Sequence, residues 1–264
     1  MNSVSVSIII PVYGNEKLVH NLLETLIPSL EQYLYEIIVI DDGYEDMKID
    51  HKKLPHKVKY LSNDTNLGYA KSVNKAIKIA KYEYIALINS DILVDREWLT
   101  EGIKVFYDYE DVGIVGGTLI YPDYGTIQHA GAYFTKGKNF LAFRMSSVDS
   151  QDFSNCVEFP QAVVDSVAIT KKEYLFRVGL YDENYHMGSD DIDLCFKLRE
   201  IGLRSAYAPR MIAYHKVAAS KENRYKYHSE DKRYFINKWK GKIDDDTEKI
   251  FEKSLDKFKL SENG

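Results

Sequence analysis

The sequence predicts an α/β fold in which helices cover both faces of a mostly parallel sheet. Its first half repeats one pattern four times: a short apolar run, a polar turn and a segment with helical spacing. The apolar runs are continuous and rich in β-branched residues, as expected for parallel strands that are buried on both faces. After residue 116 the pattern changes to shorter strands and loops, which predicts a smaller, mixed second half.

The repeats of the first half give a regular order of elements. The apolar runs predict strands at residues 7–12, 36–40, 58–61, 84–88 and 112–115. Helical spacing of apolar side chains predicts helices at residues 16–33, 68–81 and 98–107. Three strands run into polar turns, namely YGN at 13–15, DDG at 41–43 and NSD at 89–91. Ligands bind beyond the carboxyl ends of strands in such sheets, so we expect these turns to face one cleft.

The second half contains one strong helix signal and several shorter elements. Residues 190–201 have amphipathic spacing, and Ser189 stands where an N-cap is expected. The remaining patterns predict short strands over 118–134 with a turn at 122–125, a strand at 163–170 and a short helix at 172–178. Residues 135–160 are polar and weakly periodic, which indicates a mobile loop.

Composition and charge exclude several classes of protein. The chain has 264 residues, 45% of them hydrophobic and 28% charged, and a formal net charge of −5, which argues against a general nucleic-acid binder. Two cysteines are too few for a disulfide framework and fit a reducing compartment. The apolar run at 4–12 is too short to span a bilayer, so we expect a cytoplasmic protein, at most peripheral at the inner membrane face.

The segment from 216 to 242 is rich in lysine and arginine, with aromatic residues between them, and acidic residues exceed basic ones beyond it. The simpler interpretation is a solvated helical tail whose aromatic side chains pack on the core. The alternative is a surface that contacts anionic lipid or a pyrophosphate-bearing acceptor.

Several acidic residues stand where chemistry could occur. Asp91 ends the turn after the fourth strand and could bind a divalent cation that also holds substrate phosphates, although Asn, Ser and Asp form ordinary turns as well. His215 follows another apolar run and matters for such a site only if it lies near Asp91. Asp190 and Asp191 suit the helix dipole as first-turn acids, and a carboxylate there can also remove a proton from an attacking hydroxyl.

Other signals for nucleotide binding are weaker. Asp41 and Asp42 could cap their turn or accept a hydrogen bond from a pyrimidine base. Gly68 opens a helix, where a missing side chain lets the backbone approach a phosphate. No G-x-G-x-x-G motif follows the first strand and no P-loop motif occurs, which disfavours dinucleotide dehydrogenases and P-loop enzymes. We interpret Gln128 and His129 as loop or core residues.

Taken in order, seven segments resemble those of the inverting family 2 glycosyltransferases, whose A-type nucleotide-diphospho-sugar transferase fold contains a Rossmann-like sheet. These segments are residues 7–13, 38–43, 66–74, 87–91, 178–183, 189–194 and 202–215. The resemblance runs from residue 5 to about residue 218. Residues 122–131 are also similar to the rhamnosyl- and galactofuranosyl-type bacterial members. Two departures are Asn89, where the family usually has Asp, and Asp190, where it often has Glu.

The resemblance implies a role for each matching residue. The nucleotide-sugar site would contain Pro11, Val12, Tyr13, Asp41, Asp42, Asn66, Gly68, Asn89 and Ser90. Asp91 would hold a divalent metal, Mn²⁺ or Mg²⁺, that bridges the phosphates of the donor, and His215 would be a further ligand. Asp191 matches the catalytic base, and Asp190 would position the acceptor or the donor sugar.

The resemblance also implies an organisation and a set of partners. Residues 1–218 would form one catalytic domain, with a nucleotide-binding half (1–116) and an acceptor half (117–218), followed by the tail at 219–264. The partners would be a UDP- or dTDP-linked sugar and a glycan or lipid-linked acceptor. Two alternatives stay open: a catalytically silent nucleotide-sugar-binding subunit, and a nucleotidyltransferase, which the first turn disfavours because it lacks a Gly-rich loop with Arg or Lys.

Overall fold

The computed structural model describes residues 4–43, 50–135, 140–142, 156–186, 188–216 and 221–250. The strands are β1 Ser5–Val12, β2 Leu34–Asp41, β3 Val58–Ser62, β4 Tyr84–Ile88, β5 Ile92–Val94, β6 Val112–Tyr121, β7 Thr126–His129, β8 Ala132–Phe134, β9 Phe140–Ala142, β10 Val167–Lys171 and β11 Arg204–His215. The helices are α1 Glu16–Ser29, α2 Tyr69–Ile79, α3 Trp98–Asp108, α4 Lys172–Arg177, α5 Asp190–Glu200 and α6 Lys221–Lys238, and a short 3₁₀ turn lies at His51–Lys53.

Within the described ranges, nine strands form one sheet in the order β3-β2-β1-β4-β10-β6-β11-β5, with β7 beside β6. The strands β1 to β4 pair in parallel, whereas β10 is antiparallel to both β4 and β6, so β6 and β11 run in the same direction as the first four. The α/β prediction is therefore confirmed, with a sheet that becomes mixed in its second half. The predicted strand at 163–170 begins only at Val167, because residues 163–166 approach the sheet across its carboxyl edge.

The core lies on both faces of this sheet, which explains why the strands read as continuous apolar runs. Neighbouring residues of β1 point to opposite sides: Ile8 packs with α1 and α3, whereas Ile9 packs with α2 and α5. Both side chains are fully buried. The hydrophobic periodicity of the helices thus identified the faces that pack against the sheet. Helices that follow the parallel strands begin near the carboxyl edge of the sheet.

The chain after β11 returns to the second of these core layers. Phe235 of α6 is fully buried and Trp239 nearly so, and both pack against Phe196 of α5. Further on, the backbone of Asp246 donates to the carbonyl oxygen of Phe134, and the Asp246 carboxylate accepts from the Phe134 amide. These aromatic residues of the tail therefore belong to the core, while a domain boundary at residue 218 stays a prediction.

Two other sequence expectations meet the structure only in part. Most of the predicted loop at 135–160 lies outside the described residues; residues 140–142 form β9, which pairs with β8. Ser189 does precede α5, but its hydroxyl makes no capping hydrogen bond because its backbone is left-handed, with φ of 67°. Among the helices that the structure describes, none has a stretch long and apolar enough to cross a membrane.

Candidate active site

The carboxyl edge of the sheet collects most of the residues that the sequence singles out. β1, β2 and β4 are parallel neighbours, so their following turns begin at the same edge, where Val12 pairs with Asp41. β11 ends at the same edge, and its last residue, His215, pairs with Ile92 of β5. The side chain of Asp91, next to Ile92, is thereby brought beside an imidazole from the far end of the chain.

Asp91 and His215 form a close pair. The Oδ1 atom of Asp91 lies 3.2 Å from Nε2 of His215, and the two side chains are 17% and 8% exposed. On the other side of the ring, Nδ1 lies 2.6 Å from Oε1 of Gln128. An amide oxygen only accepts, so Nδ1 carries the proton of this hydrogen bond. Nε2 is therefore the ring atom that meets the carboxylate.

This donor set fits a divalent metal ion. Carboxylate oxygen and imidazole nitrogen both bind Mn²⁺ and related ions, and a ligating imidazole commonly donates its second N–H to a protein oxygen, as His215 does. No group of three or more His, Cys, Asp or Glu residues able to hold a metal occurs in the described part of the chain. Two protein ligands suffice where substrate phosphates and water complete the coordination, as is usual for Mg²⁺.

Asn89 and Ser90 border this pair in different ways. The backbone amide of Asn89 donates to the carbonyl oxygen of Ser166 at 3.0 Å, and its side-chain amide donates to the Ser166 hydroxyl at 3.1 Å. Asn89 therefore ties the end of β4 to the start of β10. Ser90 lines a cavity of about 180 Å³ between the β4–β5 turn and α1, together with Asn21, Glu24, Thr25, Asp91 and Lys216.

A larger cavity lies elsewhere. Its volume is about 440 Å³, and it is lined by Glu83, Lys172, Glu173 and Phe176. Glu83 precedes β4 and Lys172 follows β10, so this cavity is at the amino end of β4, opposite the carboxyl edge. Ser90 and Asp91 line the smaller cavity, which lies at the carboxyl edge, and we assign the candidate site to that edge.

The DDG turn holds the segment before α2 in place. The Asp42 carboxylate accepts hydrogen bonds from the amides of Leu67 and Gly68, from the Ser72 hydroxyl and from the Asn63 side chain, at 2.6–2.9 Å. A carboxylate has about four lone-pair sites, so little of this group is left for a ligand. The structure thus gives Asp42 a supporting role toward Gly68, where the backbone approaches the edge with φ of 89°.

The other residues expected to line a nucleotide base differ in their exposure. Val12 is buried in the core, so only its backbone can face a ligand, whereas Tyr13 is half exposed at the edge and Pro11 is intermediate. Asp41 is almost fully buried, and its carboxylate accepts from the Tyr60 hydroxyl at 2.6 Å and the Gly43 amide at 3.2 Å. Each of these groups lies at the carboxyl edge, with Tyr13 the most accessible.

Asn66 has a local structural partner. Its side-chain oxygen accepts from the Gly68 amide at 3.0 Å, which makes a tight turn directly before α2, while the residue itself remains exposed. The Gly68 amide is thus shared between Asn66 and Asp42. Both residues shape the same loop, so a ligand at this edge would meet a segment that is held from two sides.

Asp190 and Asp191 open α5 in a largely buried setting. Asp190 is 7% exposed, and its Oδ2 atom has no hydrogen-bond partner. Asp191 is more exposed, and its Oδ1 accepts from the Ile192 amide at 2.8 Å. Burial, together with the negative charge of Asp165, raises the pKa of Asp191 to about 7. A carboxylate with a pKa near neutrality and access to solvent suits a general base.

The acidic pair and the Asp91–His215 pair are connected through two adjacent residues. Ser166 is hydrogen-bonded to Asn89, in the β4–β5 turn that carries Asp91. Asp165, directly before it, interacts with the carboxylate of Asp191 through its charge and its backbone amide. The candidate metal ligands and the candidate base therefore lie at the same edge of the sheet, linked through residues 165 and 166.

Comparison with known proteins identifies the family of this chain. The family model for glycosyl transferase family 2 matches residues 7–156, more than half of the chain. The chain belongs to this family. Its sheet is that of the nucleotide-sugar transferases to which it is structurally similar, so the fold expected from the resemblance is confirmed.

Among curated proteins, this glycosyltransferase chain is 25% identical over 220 residues to poly-β-1,6-N-acetyl-D-glucosamine synthase from Staphylococcus epidermidis, an alignment that covers 79% of the chain and 49% of that protein. It is 24% identical over 247 residues to chondroitin synthase from Escherichia coli, covering 82% of the chain and 35% of that protein. The chain therefore spans half or less of the length of these relatives.

Solved structures show the same fold at low identity. A mannosyltransferase from Pyrobaculum calidifontis in complex with GDP-Man and Mn²⁺ matches with a TM-score of 0.57, 18% identity and coverage of 85% of this chain and 59% of that one. GalNAc-T7 with UDP, GalNAc and Mn²⁺ matches with a TM-score of 0.64 and 16% identity, covering 97% and 55%. The finer likeness to a rhamnosyl- or galactofuranosyl-type branch stays a prediction.

Sequence reasoning missed two residues of this candidate site. Gln128 was interpreted as loop or core, and nothing in its neighbourhood signals the contact with His215. Asp165 stands in an apolar run that reads as strand, and a charged residue at such a position is itself a signal, because lone carboxylates are rarely buried. His129, which follows Gln128 in the chain, is a core residue, as expected. Its Nε2 accepts hydrogen bonds from the amides of Gly131 and Val164.

Proposed function

We propose that this chain transfers a glycosyl group, with inversion, from a nucleotide-diphosphate sugar to a hydroxyl of a glycan or lipid-linked acceptor. The observation that supports it most is the Asp91–His215 pair, backed by Gln128 and linked through Asp165 and Ser166 to a carboxylate whose proton affinity suits a base. The named relatives are a poly-β-1,6-N-acetyl-D-glucosamine synthase and a chondroitin synthase. The two named structures are complexes with GDP-Man and Mn²⁺ and with UDP, GalNAc and Mn²⁺.

The donor would bind along the carboxyl edge of the sheet. Tyr13 and the DDG turn would border the base, and the Asn66–Gly68 loop would present its backbone to the ribose and phosphates. Asp91 and His215 would hold Mn²⁺ or Mg²⁺, which supplies positive charge that stabilises the departing nucleoside diphosphate. Asn89 carries no charge, so this site offers one carboxylate fewer than the usual family motif.

The acceptor would enter beside the start of α5. Asp191 would remove the proton from the acceptor hydroxyl while its oxygen attacks the anomeric carbon opposite the leaving group, which inverts the configuration. Such general-base assistance typically contributes about 10²–10⁴-fold in rate. The unpartnered Oδ2 of Asp190 would accept a hydrogen bond from a sugar hydroxyl.

The test is turnover of a panel of UDP-, dTDP- and GDP-linked sugars with Mn²⁺ or Mg²⁺, followed through release of nucleoside diphosphate. Asp191→Asn should retain donor affinity and lose nearly all transfer. Asp108→Asn, an exposed replacement at the end of α3, is the matched control and should behave as wild type. Product NMR should show the anomeric configuration opposite to that of the donor.

Two outcomes would replace this proposal. Release of pyrophosphate in place of nucleoside diphosphate would indicate a nucleotidyltransferase. Donor binding without turnover across the panel, in a sample that contains acceptor glycans, would favour the silent nucleotide-sugar-binding subunit, for which Asn89 is the supporting residue.

A further inference from the structure

A third buried carboxylate lies behind the acidic pair of α5. Asp165, 6% exposed, precedes β10, and a single one of its oxygens, Oδ2, accepts hydrogen bonds from two tyrosines. The Tyr69 hydroxyl donates at 2.7 Å and the Tyr181 hydroxyl at 2.8 Å. The two rings meet edge to face, with their centroids 6.0 Å apart. This arrangement fixes the carboxylate against rotation.

No cation of the described residues forms an ion pair with these acids. Within the described residues, Asp165, Asp190 and Asp191 take part in no ion pair, although the chain forms many elsewhere. The titratable groups that face the acidic pair are Asp165 itself, Tyr69 of α2, Tyr181, Cys195 of α5 and Asp231 of α6. Neighbouring carboxylates repel one another, so ionising all three in a buried setting is costly.

The direction of the pKa changes agrees with this geometry. Burial raises the pKa of Asp165 even though both tyrosines donate to it. Burial, followed by the charges of Asp191 and Asp165, raises the pKa of Asp190 well above its usual range. All three carboxyl groups therefore hold their protons more firmly than an exposed aspartate does.

We propose that Asp165, clamped by the hydroxyls of Tyr69 and Tyr181, is a positioning residue that sets the pH at which the Asp191 base becomes available. This inference rests on the proposed function, because it assigns to Asp165 the regulation of the same base. Asp165 acts through its charge on Asp191, and the tyrosines act by holding that charge in place.

The proposal predicts that kcat/KM falls on the acid side of the pH profile. The base acts when it is deprotonated, so kcat/KM should rise with pH through a midpoint near 7. Asp165→Asn removes one negative charge and makes Asp191 easier to deprotonate. The midpoint should then move to lower pH by about 1 unit. At pH 6 the variant should therefore retain a larger fraction of its own maximal kcat/KM than wild type does.

The experiment measures kcat/KM from pH 5 to 9 for wild type, Asp165→Asn, Tyr181→Phe and the control Asp108→Asn. Tyr181→Phe loosens the clamp, lets Asp165 take up a proton more readily and should shift the midpoint in the same direction by a smaller amount. A merely structural role would lower activity without moving the midpoint. If Asp165→Asn does not fold, the shift of the kcat/KM midpoint in Tyr181→Phe tests the proposal instead.

A second readout needs no turnover. Carboxyl ¹³C resonances of Asp-labelled protein, with Asp191 assigned through Asp191→Asn, should show Asp191 titrating at lower pH in Asp165→Asn. An unchanged midpoint in both measurements overturns the inference while leaving the proposed function intact. Absence of transfer in wild type, with the carboxyl shift still present, overturns the proposed function and leaves the coupling of Asp165 to Asp191 standing.

Discussion

Gln128 and His215, 87 positions apart, meet at 2.6 Å across the ends of β7 and β11. The Nδ1–H group of the imidazole donates to the amide oxygen, and Nε2 lies 3.2 Å from the Asp91 carboxylate. A contact of this kind fixes both the tautomer and the orientation of the ring. The readiness of His215 to act as a metal ligand therefore depends on a residue outside the seven segments that carry the family resemblance.

Replacing Gln128 by Leu should weaken Mn²⁺ binding by about 10- to 100-fold, because the ring loses the partner that orients it. Mn²⁺ titration followed by electron paramagnetic resonance measures the affinity directly. Gln32→Leu, an exposed glutamine at the opposite edge of the sheet, is the control and should bind Mn²⁺ as wild type does. Equal affinities for wild type and Gln128→Leu would show that the contact does not support a metal site.

Asp42→Asn should destabilise the fold and the donor site together. An asparagine would place an NH₂ group against N–H donors that the carboxylate now accepts, including the amides of Leu67 and Gly68. Loss of hydrogen bonds to a charged group should lower the free energy of unfolding by about 2–4 kcal/mol. Urea unfolding measures this. Unchanged stability would mean that the Asn66–Gly68 loop is held by other contacts.

Asp190→Asn should stabilise the protein above neutral pH. The folded-state pKa of Asp190 is raised, so the folded protein holds a proton that the unfolded chain releases above about pH 4. That contribution to stability falls as the pH rises from about 4 toward the folded-state pKa. Removing the carboxylate should add about 1–3 kcal/mol at pH 8, which corresponds to a Tm several degrees higher.

The measurement is Tm against pH from 4.5 to 8.5 for Asp190→Asn and wild type. The difference between the two curves should be small at pH 4.5 and should grow with pH, because other titrating groups affect both proteins alike. A difference that is constant or shrinks with pH would contradict a buried, unpartnered carboxylate at this position.

Lys238→Met should destabilise the packing of α6 on α5. Its ammonium group lies 2.6 Å from Asp182 and 2.8 Å from Asp193, which is fully buried. Although burial alone would raise the pKa of Asp182, the hydrogen bonds from Lys238 and Asn184 lower it to about 2. Removing the lysine leaves Asp193 with only neutral donors, which should cost about 2–4 kcal/mol at pH 7.

Lys240→Met is the matched control for this change, because Lys240 is exposed and two residues further along the chain. Its stability should differ from wild type by less than about 0.5 kcal/mol. The destabilisation of Lys238→Met should also diminish between pH 4 and pH 2, as Asp182 becomes protonated. Equal unfolding midpoints for the two variants at pH 7 would show that the ion pairs contribute nothing to folding.

Residue patterns alone were enough to predict most of the elements and the edge of the sheet at which ligands would bind. The apolar runs at residues 7–12 and 36–40 predicted buried parallel strands, and the polar turns after them were expected at one edge because parallel strands end together. The spacing around Leu194 and Leu198 likewise located α5 and, at its start, Asp190 and Asp191. Local periodicity carries this information, since each element repeats its own pattern.

Which side chains of the candidate site contact one another is visible only in the folded structure. Because β10 runs antiparallel between β4 and β6, the residue before it, Asp165, comes close enough to interact with Asp191. The pairing of β11 with β5 brings His215 to Asp91. Gln128 reaches His215 because β7 folds back on β6. These contacts join positions far apart in the chain, and their energies depend on burial and on neighbouring charge, which a local pattern of residues does not contain.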